Sequence, residues 1–144
     1  MDLQLILQRL REQLADLALR EIELAAGLDA AMRASRAVPA VYLVPLSERG
    51  QGLGHSGEVD EIEQRLFGVV QVLDVLSDPD TPGVLDLATL RRRVKQALIG
   101  FAPDPSMGDP VLFAGGALVG FEGNGRLWWS DEFSFSGYYD RSNP

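Results

Sequence analysis

The 144-residue sequence predicts an α+β fold, in which a largely antiparallel or mixed sheet of about four strands carries helices on one face. Apolar residues recur with helical spacing in two separate stretches, and valine-rich or aromatic stretches lie before, between and after them. The last two of these strand-like stretches are joined by EGNG at residues 122–125, and an Asn-Gly pair at that place favours an antiparallel hairpin.

Residues 65–76 (RLFGVVQVLDVL) predict a strand in the middle of the sheet. Apolar side chains occupy both alternating faces, as expected for a strand that is covered on both sides. A helix that uses Ile62, Leu66, Val69 and Leu73 is the rival interpretation. Four valines and one glycine disfavour it, because β-branching restricts χ1 and glycine adds backbone entropy.

The two long helices are predicted from their leucine spacing. Residues 3–18 form a stripe made of Leu3, Leu7, Leu10, Leu14 and Leu17, and the second stripe is made of Leu87, Leu90, Val94 and Leu98. Asp86 is suited to cap the second helix at its start, and Gly100 is suited to end it. The alanine-rich residues 25–35 predict a shorter helix, and residues 20–24 predict a short edge strand.

The other strands are residues 38–46, 111–121 and 126–139. The first of these contains Pro39 and Pro45, and because proline cannot donate to a ladder, we expect these two positions at strand ends or at an unpaired edge. Residues 47–57 predict a long connection. Trp128 and Asp131 interrupt the alternation of apolar and polar residues in the last strand.

We expect one domain over residues 1–144, with a helical part at 1–37, sheet and helix at 38–139, and a frayed tail at 140–144.

Composition excludes several classes of function. The formal net charge of −8 disfavours a general nucleic-acid binder, which needs a positive field. The absence of cysteine removes disulfides and thiolate sites, and with one histidine a transition-metal site has few ligands. The start of the chain lacks a signal-peptide pattern, and no apolar run is long enough for a membrane anchor.

One glycine motif suggests a cofactor. Residues 52–57 (GLGHSG) match G-x-G-x-x-G, the outline of a dinucleotide-binding loop. The following acidic residues would repel a pyrophosphate, and there is too little room for the helix that should hold it. His55 lacks an acid to orient it, and Pro82 and Thr89 interrupt a calcium-loop pattern that begins at Asp78. We therefore expect no cofactor, no metal and no catalytic residues, and we keep dinucleotide binding as an alternative.

Charge is segregated along the chain. A basic run at residues 91–95 and an acidic run at residues 58–63 are each typical of a solvated face, but they also suit a heterologous contact between copies. Aromatic residues near the end, including Trp128 and Tyr138, would suit an interface if exposed. The candidate interface residues are Arg91, Arg92, Arg93, Lys95, Glu58, Asp60, Glu61, Glu63, Gly52, Gly54, Trp128 and Tyr138.

Four segments together resemble the tail terminator proteins of long-tailed bacteriophages. They are VPAVYLVPLSERG (38–50), EIEQRLFGVVQVLDV (61–75), TLRRRVKQALIGF (89–101) and RLWWSDEFSFSGYY (126–139). The resemblance covers roughly residues 38–139, with a helix in the expected place before them. It lies in the texture and order of the strands, and it contains no catalytic signature.

The resemblance implies a non-enzymatic structural protein of the virion, assembled in the host cytoplasm and located at the junction of tail and head. Members of this family form a hexameric ring that caps the head-proximal end of the tail tube and stops its polymerisation. The implied partners are further copies of the chain, the tail tube protein and a head–tail connector or completion protein, with DNA only as cargo in the lumen. Another tail tube or completion subunit is the closest alternative.

Overall fold

The computed structural model describes residues 3–34, 38–52, 61–75, 85–103, 108–123 and 125–139. Within these ranges three helices and five strands follow one another, and a 3₁₀ turn at Ala15–Leu17 follows the first helix. They are α1 (Leu3–Gln13), β1 (Glu21–Leu24), α2 (Leu28–Ala34), β2 (Ala40–Gly52), β3 (Glu61–Asp74), α3 (Leu87–Leu98), β4 (Leu112–Phe121) and β5 (Arg126–Tyr139). The α+β class is confirmed.

The strands form a single sheet in the order β1-β2-β3-β5-β4. The β1–β2 pair is parallel and the other pairs are antiparallel, so the sheet is mixed, as one form of the prediction allowed. The sheet has five strands instead of the expected four or so, because the short edge strand predicted at residues 20–24 does form, as β1, and joins the sheet beside β2. β3 is the middle strand, and the prediction for residues 65–76 is confirmed in kind, although the strand begins at Glu61 and ends at Asp74.

β2 continues well past the predicted end of its strand. Residues 47–52, predicted as part of a loop, pair with residues 61–66 of β3, after a register shift between Pro45 and Ser47. Their polar and glycine-rich composition concealed this, because the pairing depends on the neighbouring strand and not on local propensity. We call these two paired segments the β2–β3 arm. Six residues at about 3.3 Å each give it a length of about 20 Å.

The sheet has a core on each face. α1 and α3 cover one face, where the leucines of the predicted helical stripes pack against Val41, Phe67 and Phe133. α2 covers the opposite face, where Ala31 packs with Tyr42 and Val70. The expectation that helices lie on one face holds for the two long helices and is wrong for α2. Its short alanine-rich sequence has no apolar stripe that would have indicated which face it covers.

The ends of α3 follow the predicted signals. The Asp86 side chain accepts a hydrogen bond of 2.7 Å from the backbone N–H of Thr89, which is the N-cap arrangement. Gly100 adopts a φ of 86° directly after the helix, a conformation that glycine reaches at low cost. Both ends of α3 are thus defined by local interactions.

Trp128 explains one irregularity of β5. It is 1% exposed and lies in the core beneath α2, on the face opposite to α3, and its indole N–H donates to Glu122 at 3.2 Å. The expectation that Trp128 is an exposed interface residue is therefore wrong. β5 carries an apolar side chain on this face at Trp128 because the core beneath α2 covers that part of the strand.

Replacing Trp128 with alanine is expected to lower the free energy of unfolding by about 3–5 kcal/mol, because it leaves a large cavity in this core. Phe121→Ala is the matched control, since Phe121 is 57% exposed on the neighbouring strand and its loss should cost no more than about 0.5 kcal/mol. Urea denaturation of both variants measures the difference. Equal destabilisation would contradict the assignment of Trp128 to the core.

Candidate interaction surface

β4 is an edge strand without charge. Its ten residues, LFAGGALVGF, contain no charged side chain and no proline. Of the nine large apolar side chains that are exposed among the described residues, Leu112, Phe113, Leu118 and Phe121 lie on this strand. An edge strand presents unpaired backbone groups, and proteins usually protect it with charge, proline or a cover. Two bulges, at Ala114 and Val119, are the main such protection on β4.

The opposite edge of the sheet is protected in the usual way. β1 has only four residues, and two of them are glutamates. The Arg11 side chain lies across this edge, where its Nε donates to the carbonyl of Ile22 at 2.9 Å and its guanidinium pairs with Glu23 at 2.8 Å. The two edges of the sheet therefore differ: the β1 edge is short, charged and crossed by Arg11, whereas the β4 edge is longer, uncharged and exposed.

The register places three of the exposed β4 side chains on the same face as α3. Phe113, Leu118 and Phe121 stand opposite Phe133, Trp129 and Leu127 of β5, and directly opposed residues of antiparallel strands share a face. The ammonium group of Lys95 lies 4.3 Å from the centre of the Phe113 ring, which joins the strand to the helix.

The outer side of α3 adds a shallow groove to this surface. Its lining consists of Ala88, Arg91, Arg92, Lys95, Gln96 and Ile99. Ile99 is itself 47% exposed. We call the combination of this lining with Phe113, Leu118 and Phe121 the α3–β4 surface. It has an apolar floor beside positive charge, which suits an acidic partner with some aliphatic side chains.

A buried carboxylate holds α3 in place above the sheet. Asp131 of β5 is fully buried and accepts hydrogen bonds from Arg91, with Nε at 3.0 Å and Nη2 at 2.9 Å. It also accepts from Gln71 Nε2 at 2.7 Å and from Trp129 Nε1 at 3.0 Å. The Arg91 guanidinium stacks 4.5 Å from the Trp129 ring centre. These contacts join α3, β3 and β5, and they explain the polar residue in the apolar face of β5.

Burial raises the pKa of the Asp131 carboxyl, but the hydrogen bonds from Arg91, Trp129 and Gln71 outweigh it, so that the pKa lies below its ordinary value of 3.8. The carboxylate therefore stays ionised inside the protein. Since a carboxylate only accepts, the Gln71 amide nitrogen faces it, and the buried Gln71 Oε1 has no hydrogen-bond partner among the described residues.

Gly116 of β4 stands opposite Asp131. A Cβ added there would lie 2.5 Å from Asp131 Oδ1 and 3.1 Å from both Arg91 Nη2 and Trp129 Nε1. Every one of these atoms is held by the cluster, so the neighbours cannot yield cheaply. Glycine is required at this position for the carboxylate to fit between helix and strand.

The basic run of α3 does not act as one cationic face. Arg91 is paired with Asp131, and Arg93 pairs with Asp16 at 2.6 Å and donates to the carbonyl of Gln13, so that it joins α3 to the end of α1. Arg92 is exposed, and Lys95 lies at the α3–β4 surface. Of the four cations in this run, Arg92 and Lys95 therefore remain as candidate interface residues. Arg91 and Arg93 are unsuitable for a charge-reversal test of an interface, because reversing either would break a pair within the subunit.

The remaining predicted interface residues are less fully placed. Gly52 is the last residue of β2, where it pairs with Glu61. Glu63 and Tyr138 lie opposite Gly137 and Ile62 in the β3–β5 ladder. Glu58, Asp60 and Gly54 lie outside the described residues, as do His55, Asp78 and the tail at 140–144. Their part in an interface stays a prediction.

The geometry around Gly52 disagrees with the dinucleotide alternative. β2 and β3 are antiparallel neighbours, and only residues 53–60 separate them. A dinucleotide fingerprint needs a parallel crossover through a helix, for which a dozen or more residues are required. Within the described parts of the chain, no group of acidic, histidine or cysteine side chains could hold a metal ion, and no helix is long and apolar enough to cross a membrane.

Comparison with known proteins decides the family. The model of the family described as phage tail terminator protein matches residues 1–143, nearly the whole chain. The chain belongs to the phage tail terminator family. The resemblance seen in the sequence is thereby confirmed, and it extends to the first 37 residues. No curated protein matches the chain.

Membership of the tail terminator family identifies a phage tail assembly protein and a component of the virion. It points to a structural role rather than catalysis. For a tail terminator, surfaces that meet other subunits are the functional sites. Sequence reasoning missed the exposed edge strand β4 as a candidate surface, although the absence of charge in residues 112–121 is a readable signal once the strand is known to lie at an edge.

Gly116→Ala is expected to destabilise this tail terminator by about 1–3 kcal/mol, because the new methyl group overpacks the Asp131 cluster. Gly123→Ala is the control, since an added Cβ at Gly123 meets nothing within 4 Å. Thermal unfolding followed by circular dichroism compares the two variants. An unchanged midpoint for Gly116→Ala would mean that the cluster has more room than the distances indicate.

Asp131→Asn is expected to cost about 3 kcal/mol at neutral pH, because it leaves Arg91 without its charged partner. The pKa of Asp131 is lowered in the folded protein, so its contribution is complete above the ordinary value of 3.8 and is lost as the pH falls further. The difference in stability between the original chain and Asp131→Asn should therefore shrink below pH 3.8. Urea denaturation across pH 2–7 measures it, and a constant difference would contradict the role of the charge.

Proposed function

We propose that this chain is the subunit of a ring, hexameric as the family resemblance implies, that caps the head-proximal end of a phage tail tube. The ring stops further polymerisation of the tube and presents the surface to which the filled head is joined. The observation that carries the proposal is the family match over residues 1–143. The partners are further copies of the chain, the tail tube protein and a head–tail connector or completion protein.

The open edge of the sheet supports assembly through heterologous contacts. β4 and the α3–β4 surface lie at one edge, whereas the β1 edge is charged and covered by Arg11. A subunit with one open edge has no equivalent patch on its other side. Contact between two different patches, repeated around an axis, closes a ring when the rotation allows.

The net charge of −8 is consistent with a passage for DNA. A negative ring repels the phosphate backbone, so DNA can slide through the lumen without being retained by counterion release. In this proposal DNA is cargo, and the chain reads no sequence.

Electron microscopy tests the capping role. Purified tail tubes with freely growing ends, incubated with this protein, should gain one additional ring at one end, and addition of fresh tube subunits should no longer lengthen that end. Bovine serum albumin at the same concentration serves as the control. Tubes that continue to grow at both ends would refute capping, and long filaments of this protein alone would identify it as a tube subunit instead.

A further inference from the structure

The α3–β4 surface is the largest concentration of exposed apolar side chains among the described residues, and its occupant can be argued from charge. Phe113, Leu118, Phe121 and Ile99 form its apolar part. Arg92 and Lys95 are the cations beside it, because Arg91 and Arg93 are paired within the subunit. The partner should therefore carry several acids together with one or two aliphatic side chains.

Residues 58–63 have this composition. Their sequence, EVDEIE, holds Glu58, Asp60, Glu61 and Glu63, which is half of the formal net charge of −8, together with Val59 and Ile62. The segment begins just before β3 and includes the first residues of that strand, at the end of the β2–β3 arm. Residues 61–63 of the segment pair with residues 50–52 and so lie at the far end of the arm, which is about 20 Å long.

The described part of the arm is a ladder of three paired strands. The Glu48 and Arg65 side chains pair across its two strands at 2.8 Å, and β5 supports it on the other side through residues 134–139. Glu48, Arg49 and Gln64 are exposed. Three paired strands keep the arm extended, whereas a lone hairpin is only marginally stable.

We propose that the α3–β4 surface of one copy of this chain binds the acidic segment 58–63 of the next copy. This inference rests on the proposed ring and names its subunit contact. Arg92 and Lys95 face the acids of the arriving segment, and Val59 and Ile62 pack on the apolar floor. Each copy contributes one acceptor surface and one donor segment, which is the requirement for a closed heterologous ring.

Charge reversal on each side of the proposed contact gives the first test. The acceptor variant is Arg92→Glu/Lys95→Glu, and its matched control is Arg20→Glu/Arg33→Glu, which reverses two exposed arginines away from the surface. The donor variant reverses the four acids: Glu58→Lys, Asp60→Lys, Glu61→Lys and Glu63→Lys. Acceptor and donor variants should each associate at least tenfold more weakly than the original chain in sedimentation velocity, and the control should not.

Mixing distinguishes this contact from other modes of association. An equimolar mixture of acceptor and donor variants offers two complementary pairings, the unaltered surface with the unaltered segment and the reversed surface with the reversed segment, so it should regain rings in which the two variants alternate. The variant with both sides reversed should regain rings, since its charges are complementary again. Rings in either single variant, or a mixture that associates no better than the single variants, would overturn the proposal.

Disulfide trapping gives a second test that does not depend on charge. Gln96→Cys and Asp60→Cys are made in separate chains, and the absence of native cysteine removes background. Oxidation of the mixture should give a crosslinked dimer, whereas Leu5→Cys, exposed on α1, should not crosslink to Asp60→Cys. As a further check, both substitutions are placed in one chain. If its two cysteines form a disulfide only within the same chain, and never between chains, the proposal is overturned.

The outcomes separate the inference from the function on which it rests. If the original chain forms rings that persist in both reversed variants, this contact is wrong and the ring stands. If the original chain neither associates at high concentration nor adds to tube ends, the proposed ring is refuted, and the contact falls with it.

Discussion

The buried carboxylate of Asp131 is the constraint on which the arrangement of α3 and the sheet depends. An ion of this kind is costly inside a protein unless its lone pairs are satisfied. Here a helix, two strands and a glycine on a third strand cooperate to satisfy it, through Arg91, Gln71, Trp129 and Gly116. Because these partners come from different elements, the position of α3 is fixed relative to the β4 edge. The geometry of the α3–β4 surface follows from that position.

The elements with strong local signals could be predicted from the sequence. The two leucine stripes, the Asp86 cap, the Gly100 stop and the bounds of β5 all appear as expected, because each depends on residues that are near one another in the chain. The central place of β3 followed from valines on both of its faces. These features need no knowledge of the partner strand.

What could not be predicted depends on tertiary neighbours. Residues 47–52 are polar and rich in glycine, and they form a strand only because β3 lies beside them. The side chains of Trp128 and Asp131 broke an alternating pattern for two separate reasons. A second core lies under α2 in one case, and an arginine from α3 meets the carboxylate in the other. The basic run suggested one cationic face, but Arg91 and Arg93 face internal acids, so charge counting alone overstated the surface.

The bulges of β4 have a consequence for what this strand can do in isolation. They lie at Ala114 and Val119, and they divide the strand into short segments with a kink at each junction. Fibrils grow when flat, in-register strands stack without limit. A kinked edge offers hydrogen-bonding groups in correct alignment for only a few residues, so it can receive a shaped partner but cannot template an endless stack. The subunit can therefore expose an uncharged edge without offering a template for fibrils.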